Sequence, residues 1–393
     1  MVLLLAGALP AAAEQAVVAD VATAKVLYAQ NASSRWYPAS TTKLMTAYVA
    51  LKAIEDGKAA VDTPVVMTRY AASQAPSKMG FQPGSVMRLD VALRMMLVKS
   101  ANDVAVAIGE AVGGGSLETF VGMMNEEAAA IGMKDSRFVN PNGLPGEGQH
   151  SSAKDLALLA VKLRTEFPTF ATLFGTEAIS TGAATIKNTN GLLGRFDGAD
   201  GMKTGYICAS GFNLVGSATR DGRTVVAVVL GASGTIVRDR RVAELLDLGF
   251  KADPAKETTL LADLAVANGD AADISGEICS AAGRKERAEA REDEAERKDG
   301  SPGSHLHEMD RARSVVRVSL GGAAAAPGIE AGITQIANYN IPVPMARPPY
   351  VPEKEGPPLP PGFAASAGRE GPPLPSDAVA VAPAAPDEGD GAN

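Results

Sequence analysis

Tyr37-Pro-Ala-Ser40-Thr-Thr-Lys43-Leu-Met-Thr46 opens a run with helical spacing, in which Leu44, Tyr48 and Leu51 recur on one face. Residues three apart on a helix are neighbours, so the Ser40 hydroxyl and the Lys43 amine can meet without help from elsewhere. Pro38 and the small polar residues 40 to 42 suit a helix entrance, where unpaired backbone N–H groups point outward. A serine so placed has an adjacent base, donors for an oxyanion and a fixed position, the requirements of acyl transfer. The pair alone is weak, because Ser-x-x-Lys recurs as Ser151-Ser-Ala-Lys154 and usually marks an N-cap followed by a solvated lysine.

Composition narrows the chemistry. The chain has 393 residues, 46% of them hydrophobic, with a net charge of −8 and no basic stripe with interleaved aromatics, so nucleic acid is not an expected partner. Of the three histidines only His150 lies in the globular part; His305 and His307 fall in a polar stretch. No His-Glu-x-x-His occurs, no metal or cofactor is implied, and a Ser-His-Asp mechanism would rest on His150 alone. Cys208 and Cys279 make neither a disulfide framework nor a metal site.

Along the chain, residues 1–13 read as the remnant of a signal peptide, with an apolar segment and Ala11-Ala-Ala13 for cleavage, and point to export. In an oxidising compartment Cys208 and Cys279 can persist as a pair; two unpaired thiols are the alternative. Short strands are expected near 16–20, 25–28, 201–207 and 213–217, and a clear one at 223–230 behind the Asp221-Gly222 turn. Helices are expected from Ser40 to about Ile54, through a helical stretch 88–165, and from Val237 to Leu248. This order predicts a mixed α/β fold, an antiparallel sheet flanked by helices with a mostly helical subdomain, over residues 14–255.

Beyond 255 the globular signal fades. Residues 256–340 read as a poorly structured linker, and the six basic and seven acidic side chains between 284 and 299 suit a floppy charged segment, with a solvated helix as the alternative. Residues 341–393 hold 14 of the 25 prolines and repeat Glu355-Gly-Pro-Pro-Leu-Pro360 at 370–375, the signature of a disordered tail whose ligand stays unnamed. A chain ending near residue 282 is therefore expected to keep its turnover and stability.

Two further motifs give Ser40 and Lys43 their meaning. Ser100-Ala-Asn102 is the only Ser-x-Asn in the chain, and Lys203-Thr-Gly205 the only Lys-Thr-Gly. Ser-x-x-Lys, Ser-x-Asn and Lys-Thr-Gly in this order, on helix, helix junction and strand, are the set of penicillin-binding proteins and class A β-lactamases. From about Val17 to Phe250 the chain resembles the D-alanyl-D-alanine carboxypeptidases of low-molecular-weight penicillin-binding type, serine peptidase family S11. Its longer matching strings include Asn142-Gly-Leu144 with Ser151-Ser-Ala-Lys-Asp-Leu156, Asn188-Thr-Asn190, and Lys203 through Leu214.

The resemblance implies a β-lactamase/transpeptidase-like fold and a set of roles. Ser40 is the nucleophile, Lys43 the base, Ser100 a proton relay, and Asn102 a holder of Lys43 and the substrate amide. Lys203 and Thr204 meet the substrate carboxylate with Arg238 in support, Gly205 is a further substrate-binding position, and the backbone N–H groups of Ser40 and Tyr206 form the oxyanion hole. The implied partner is a peptidoglycan stem peptide ending in D-Ala-D-Ala, with β-lactams as covalent inhibitors and a bacterial envelope as the place of work. Tyr206 stands where some relatives have histidine. Residues 256–393 match neither the β-rich second domain nor the anchor helix of many relatives, which leaves membrane attachment open. A D,D-endopeptidase shares the constellation; a β-lactamase would need a Glu-x-x-Leu-Asn loop, and none is present.

Overall fold

The computed structural model describes residues 14–267, 269–296 and 305–323. The signal-peptide reading and the Pro-rich tail lie outside the described residues. Two strands, β1 (Gln15–Asp20) and β2 (Val26–Gln30), lead to a short 3₁₀ turn at Ala39–Thr42 and the helix α1 (Lys43–Glu55). There follow β3 (Pro64–Val66), α2 (Arg69–Ser73), β4 (Val86–Arg88), α3 (Leu89–Lys99), α4 (Asn102–Val112), α5 (Leu117–Ile131) and α6 (Ala153–Glu166). The chain continues through α7 (Ala171–Phe174), β5 (Ala178–Ser180), β6 (Thr185–Lys187), β7 (Ala199–Ile207), β8 (Gly211–Arg220), β9 (Arg223–Ala232) and α8 (Thr235–Lys251). Last come α9 (Ser275–Ile278), α10 (Ala281–Glu296) and β10 (Val315–Arg317).

The main sheet runs β2-β1-β9-β8-β7, antiparallel throughout, so β7 is an edge strand. Its central strands are Val-rich because both faces are covered. Successive side chains alternate: Val18, Val225 and Val229 pack on one side with Val242, Leu245 and Leu246 of α8. Val17, Val226 and Val228 face the other side, where α1 and α6 join the helical subdomain in one continuous core. Local signals set the helix ends: Ser116 and Ser152 cap α5 and α6, and Gly132 closes α5 in the left-handed region. Among the described residues no single helix is long and apolar enough to cross a membrane.

The expected mixed α/β fold and its principal elements agree with the structure; the stretch after 255 does not follow the linker reading. Leu261, Ile278, Leu306 and Val318 are buried, and β10 adds to β5 in parallel. Residues 284–296 of the charge run lie in the helix α10. Ala, Glu, Lys and Arg are strong helix formers, and Arg287 has a docking place on the strand layer, so balanced charge here serves a solvated helix face. The short strands β5, β6 and β10 escape the sequence reading because three residues are too few to show alternation.

Candidate active site

Ser40 sits in the 3₁₀ turn, and the α-helix proper begins at Lys43. The turn is drawn tight by Pro38, whose carbonyl accepts from Thr41 N (3.2 Å) and Thr41 Oγ1 (2.7 Å). Lys43 Nζ donates to Ser40 Oγ at 2.9 Å, the encounter that the i,i+3 spacing predicts. Leu44, Tyr48 and Leu51 are buried and fix the helix.

The second motif sits at the junction between two helices. Ser100 adopts a left-handed conformation (φ 60°), ending α3, and Asn102 starts α4. Asn102 Oδ1 accepts from Lys43 Nζ at 2.7 Å while its Nδ2 donates to Ala75 O at 2.9 Å. The third motif lies on the edge strand: Lys203 Nζ donates to Ser100 Oγ (2.9 Å) and to Thr204 O (2.8 Å). Thr204 Oγ1 lies 2.7 Å from Thr189 Oγ1, and Arg238, paired with Asp239 at 2.7 Å, donates to Thr189 O at 3.2 Å.

Strand and turn meet at Gly205. A Cβ there would stand 2.8 Å from Pro38 O and 3.1 Å from Ser40 N, so only glycine lets β7 lie against the serine turn. Ser40, Ser100, Asn102, Thr204, Gly205, Tyr206 and Arg238 line one open cleft of about 560 Å³, and Lys43 and Lys203 lie buried beside it. All nine sequence-derived positions are thereby gathered at one place.

The electrostatics follow from that burial. Lys43 is 0% exposed, and its pKa falls well below the ordinary lysine value, first through desolvation and then through the nearby Lys203; the Asp103 carboxylate opposes this. Lys203, 1% exposed, is lowered to about 7 by burial and then by the Arg238 guanidinium. A buried amine held near neutrality can accept a proton, which a solvated lysine at pH 7 cannot.

Other motifs are excluded by placement. Ser152 caps α6, and Lys154 is buried in an ion pair with Asp135 at 2.6 Å, so the second Ser-x-x-Lys is structural and its lysine is not solvated. His150 binds the backbone of Gly148 and does not line the cleft. Among the described residues no cluster of His, Cys, Asp or Glu is arranged to hold a metal ion.

Three contributors were not singled out from the sequence. Asn142 O accepts from Lys43 Nζ, Thr189 bridges Thr204 and Arg238, and buried Asp103 takes Met79 N (3.0 Å) and Gly80 N (2.8 Å) to hold the loop above the cleft. Asn142 and Thr189 lie in strings that carry the resemblance, but a carbonyl partner leaves no side-chain signal to read. Cys208 and Cys279 form a disulfide, with Cα atoms 5.6 Å apart.

Comparison with known proteins bears on family and fold. A family model described as D-alanyl-D-alanine carboxypeptidase matches residues 6–234. The D-alanyl-D-alanine carboxypeptidase DacF of Bacillus subtilis is 36% identical over 243 residues, covering 61% of this chain and 62% of its own length. DacD of Escherichia coli is 36% identical over 240 residues, 59% of this chain and again 62% of its own length, so the match spans less than two thirds of these relatives. The crystal structure of the carboxypeptidase DacD from Francisella tularensis superposes with a TM-score of 0.58 at 31% identity, over 61% of this chain and 70% of that one. Penicillin-binding protein D2 from Listeria monocytogenes, in its ampicillin-bound form, gives 0.53 at 31% identity over 62% of this chain and 99% of its own. The β-lactamase/transpeptidase-like fold thus holds, and the chain belongs to the D-alanyl-D-alanine carboxypeptidase family.

Proposed function

We propose that the protein is a serine carboxypeptidase that removes the terminal D-alanine from peptidoglycan stem peptides ending in D-Ala-D-Ala, through an acyl-enzyme on Ser40. The observation that carries this is the 2.9 Å hydrogen bond from the buried, pKa-lowered Lys43 to Ser40 Oγ. As Ser40 Oγ bonds to the peptide carbonyl carbon, Lys43 takes its proton, the carbon becomes tetrahedral and the carbonyl oxygen takes the negative charge.

The negative oxygen is met by the N–H groups of Ser40 and Tyr206. Support for Tyr206 comes from strand alternation: Ile207 N donates inward to Ser210 Oγ, so the preceding N–H points to the open edge of β7. Ser100, bonded to Lys203, passes a proton to the leaving amine as the C–N bond breaks. Lys203, Thr204 and, through Thr189, Arg238 hold the terminal carboxylate. Free D-alanine leaves, and water then hydrolyses the Ser40 ester. The disulfide fits work in an oxidising compartment such as the bacterial envelope.

Penicillin copies the acyl donor, so a fluorescent penicillin should label Ser40, and Ser40→Ala should abolish labelling while the unfolding midpoint stays unchanged. Labelling that persists in Ser40→Ala, or maps to Ser151, defeats the proposal. Release of D-alanine from a D-Ala-D-Ala peptide, set against cleavage of a cross-linked muropeptide, separates carboxypeptidase from endopeptidase.

A further inference from the structure

The segment after α8 returns to the cleft, and the catalytic chemistry above makes no use of it. Cys208, two residues past Tyr206, lines the cleft and is bonded to Cys279. Ile274 N donates to Ala209 O at 3.1 Å, and a Cβ on Gly211 would stand 3.1 Å from Ile274 Cδ1. Further on, Arg287 of α10 lies with its guanidinium carbon 5.6 Å from the centre of the Phe212 ring and reaches Ser233 O at 3.5 Å. Gly234 gives it room: a Cβ there would be 3.2 Å from Arg287 Cγ. Phe212 in turn stacks on Tyr206, ring centres 4.3 Å apart, and pairs with it across the strands. The Tyr206 hydroxyl lies 3.4 Å from Cys279 Sγ, although the residue is 43% exposed.

Tyr206 is therefore gripped through its ring by Phe212 and at its tip by the disulfide, and Phe212 is backed by α10. An edge strand has a partner on one side only, so its last residues need such support. The position matters because the N–H at 206 is the oxyanion donor of the function proposed above, on which this inference rests. Donors of that kind act through placement, and a small shift costs rate in the transition state more than binding in the ground state.

We propose that residues 274–287, fastened by Cys208–Cys279, are a positioning element of the active site, so that catalytic rate depends on the disulfide. Reduction by a dithiol is a two-electron exchange. One thiolate of the reductant attacks the Cys208–Cys279 bond, its second thiol resolves the mixed disulfide, and the protein gains two electrons and two protons as two thiols while the reductant becomes a disulfide. Both cysteines are half-buried, Cys208 at the cleft, and the sequence holds no others, so a dithiol has a single target.

The test uses the full chain, purified without reductant, and follows D-alanine release and fluorescent-penicillin acylation before and after dithiothreitol. The expected result is a fall in kcat and in acylation rate of about tenfold, with KM moving by less than about twofold. The double variant Cys208→Ser/Cys279→Ser should show the low rate from the start and ignore the dithiol. Arg287→Ala, with the disulfide intact, should lower kcat, and Arg287→Lys should restore part of it.

A reduced chain that is still folded and keeps its kcat, or changes KM alone, overturns the proposal. Should the reduced chain unfold at the assay temperature, Arg287→Ala decides: an unchanged kcat overturns the proposal, while a lowered kcat with rescue by lysine supports it. An oxidised wild type that neither releases D-alanine nor labels at Ser40 would instead defeat the functional reading.

Discussion

Lys43 and Lys203 are both closed off from solvent, yet each donates a 2.9 Å hydrogen bond to a different serine, Lys43 to Ser40 and Lys203 to Ser100. Burial depresses both amines, and the charge of Lys203 depresses Lys43 further. The proposed chemistry asks opposite things of them. Lys43 must be able to lose its proton, whereas Lys203 must carry one when it faces a carboxylate.

Exchanging each lysine for arginine separates those demands. A guanidinium is not deprotonated in proteins, so Lys43→Arg should lose acylation by at least about a hundredfold, the usual worth of a general base. Lys203→Arg keeps the charge and should lose much less. The rate of labelling by a fluorescent penicillin reads both, and equal losses would contradict the division of roles.

The lowered pKa of Lys203 also sets a pH dependence. In the folded chain its pKa is lowered to about 7, against an ordinary value of 10.5. Between those values the unfolded chain binds the extra proton, so this group makes stability rise with pH across the window. Binding runs the other way, because a neutral amine holds a carboxylate poorly. KM for a D-Ala-D-Ala peptide should rise above pH about 7, while in Lys203→Arg it should stay flat. A flat wild-type profile would show that the amine keeps its proton in the free enzyme.

Asp103 carries two loads that one substitution exposes. Its carboxylate accepts from Met79 N and Gly80 N, and it counters the depression of the Lys43 pKa. In Asp103→Asn the amide presents a donor to one of those N–H groups. The unpaired donor should cost about 1–3 kcal/mol, read as a lower urea midpoint. With the negative charge gone, the amine of Lys43 releases its proton more readily. The acid limb of the acylation profile should then move to lower pH, and a limb that moves up would refute the electrostatic link.

Much of this site was legible because its chemistry is written in side chains at fixed local spacing. Ser40 and Lys43 meet through a single turn, and Lys203, Thr204 and Gly205 follow one another on a strand. The helix–strand periodicities likewise gave the main sheet, since β9 is Val-rich enough to announce a buried strand. What stayed hidden depends on long-range backbone partners. The carbonyl of Asn142 and the bridge through Thr189 are visible only once the loops are folded. The charge run stays ambiguous in the sequence because its composition suits a solvated helix as well as a linker. One docked side chain, Arg287, separates the two.

The same distinction changes what a truncated chain should do. Ending the chain near residue 282 keeps Cys279 but removes Leu306 and Val318, which are buried, and β10, which pairs with β5. It also strips buried Glu177 of Arg311 and of Ser314 N, the two donors that hold its pKa down against burial. Two buried aliphatic side chains are worth about 1.5–3 kcal/mol each before the ordering entropy is subtracted, and an orphaned carboxylate adds to the loss. A chain ending at 282 should therefore melt several degrees below the full chain, and turn over more slowly for want of Arg287. One ending at 323 keeps every described residue and sheds the Pro-rich stretch, whose composition is not that of a packed core. Its midpoint and D-alanine release should match the full chain. Equal midpoints for the 282 and 323 chains would mean that residues 283–323 add nothing to the catalytic body.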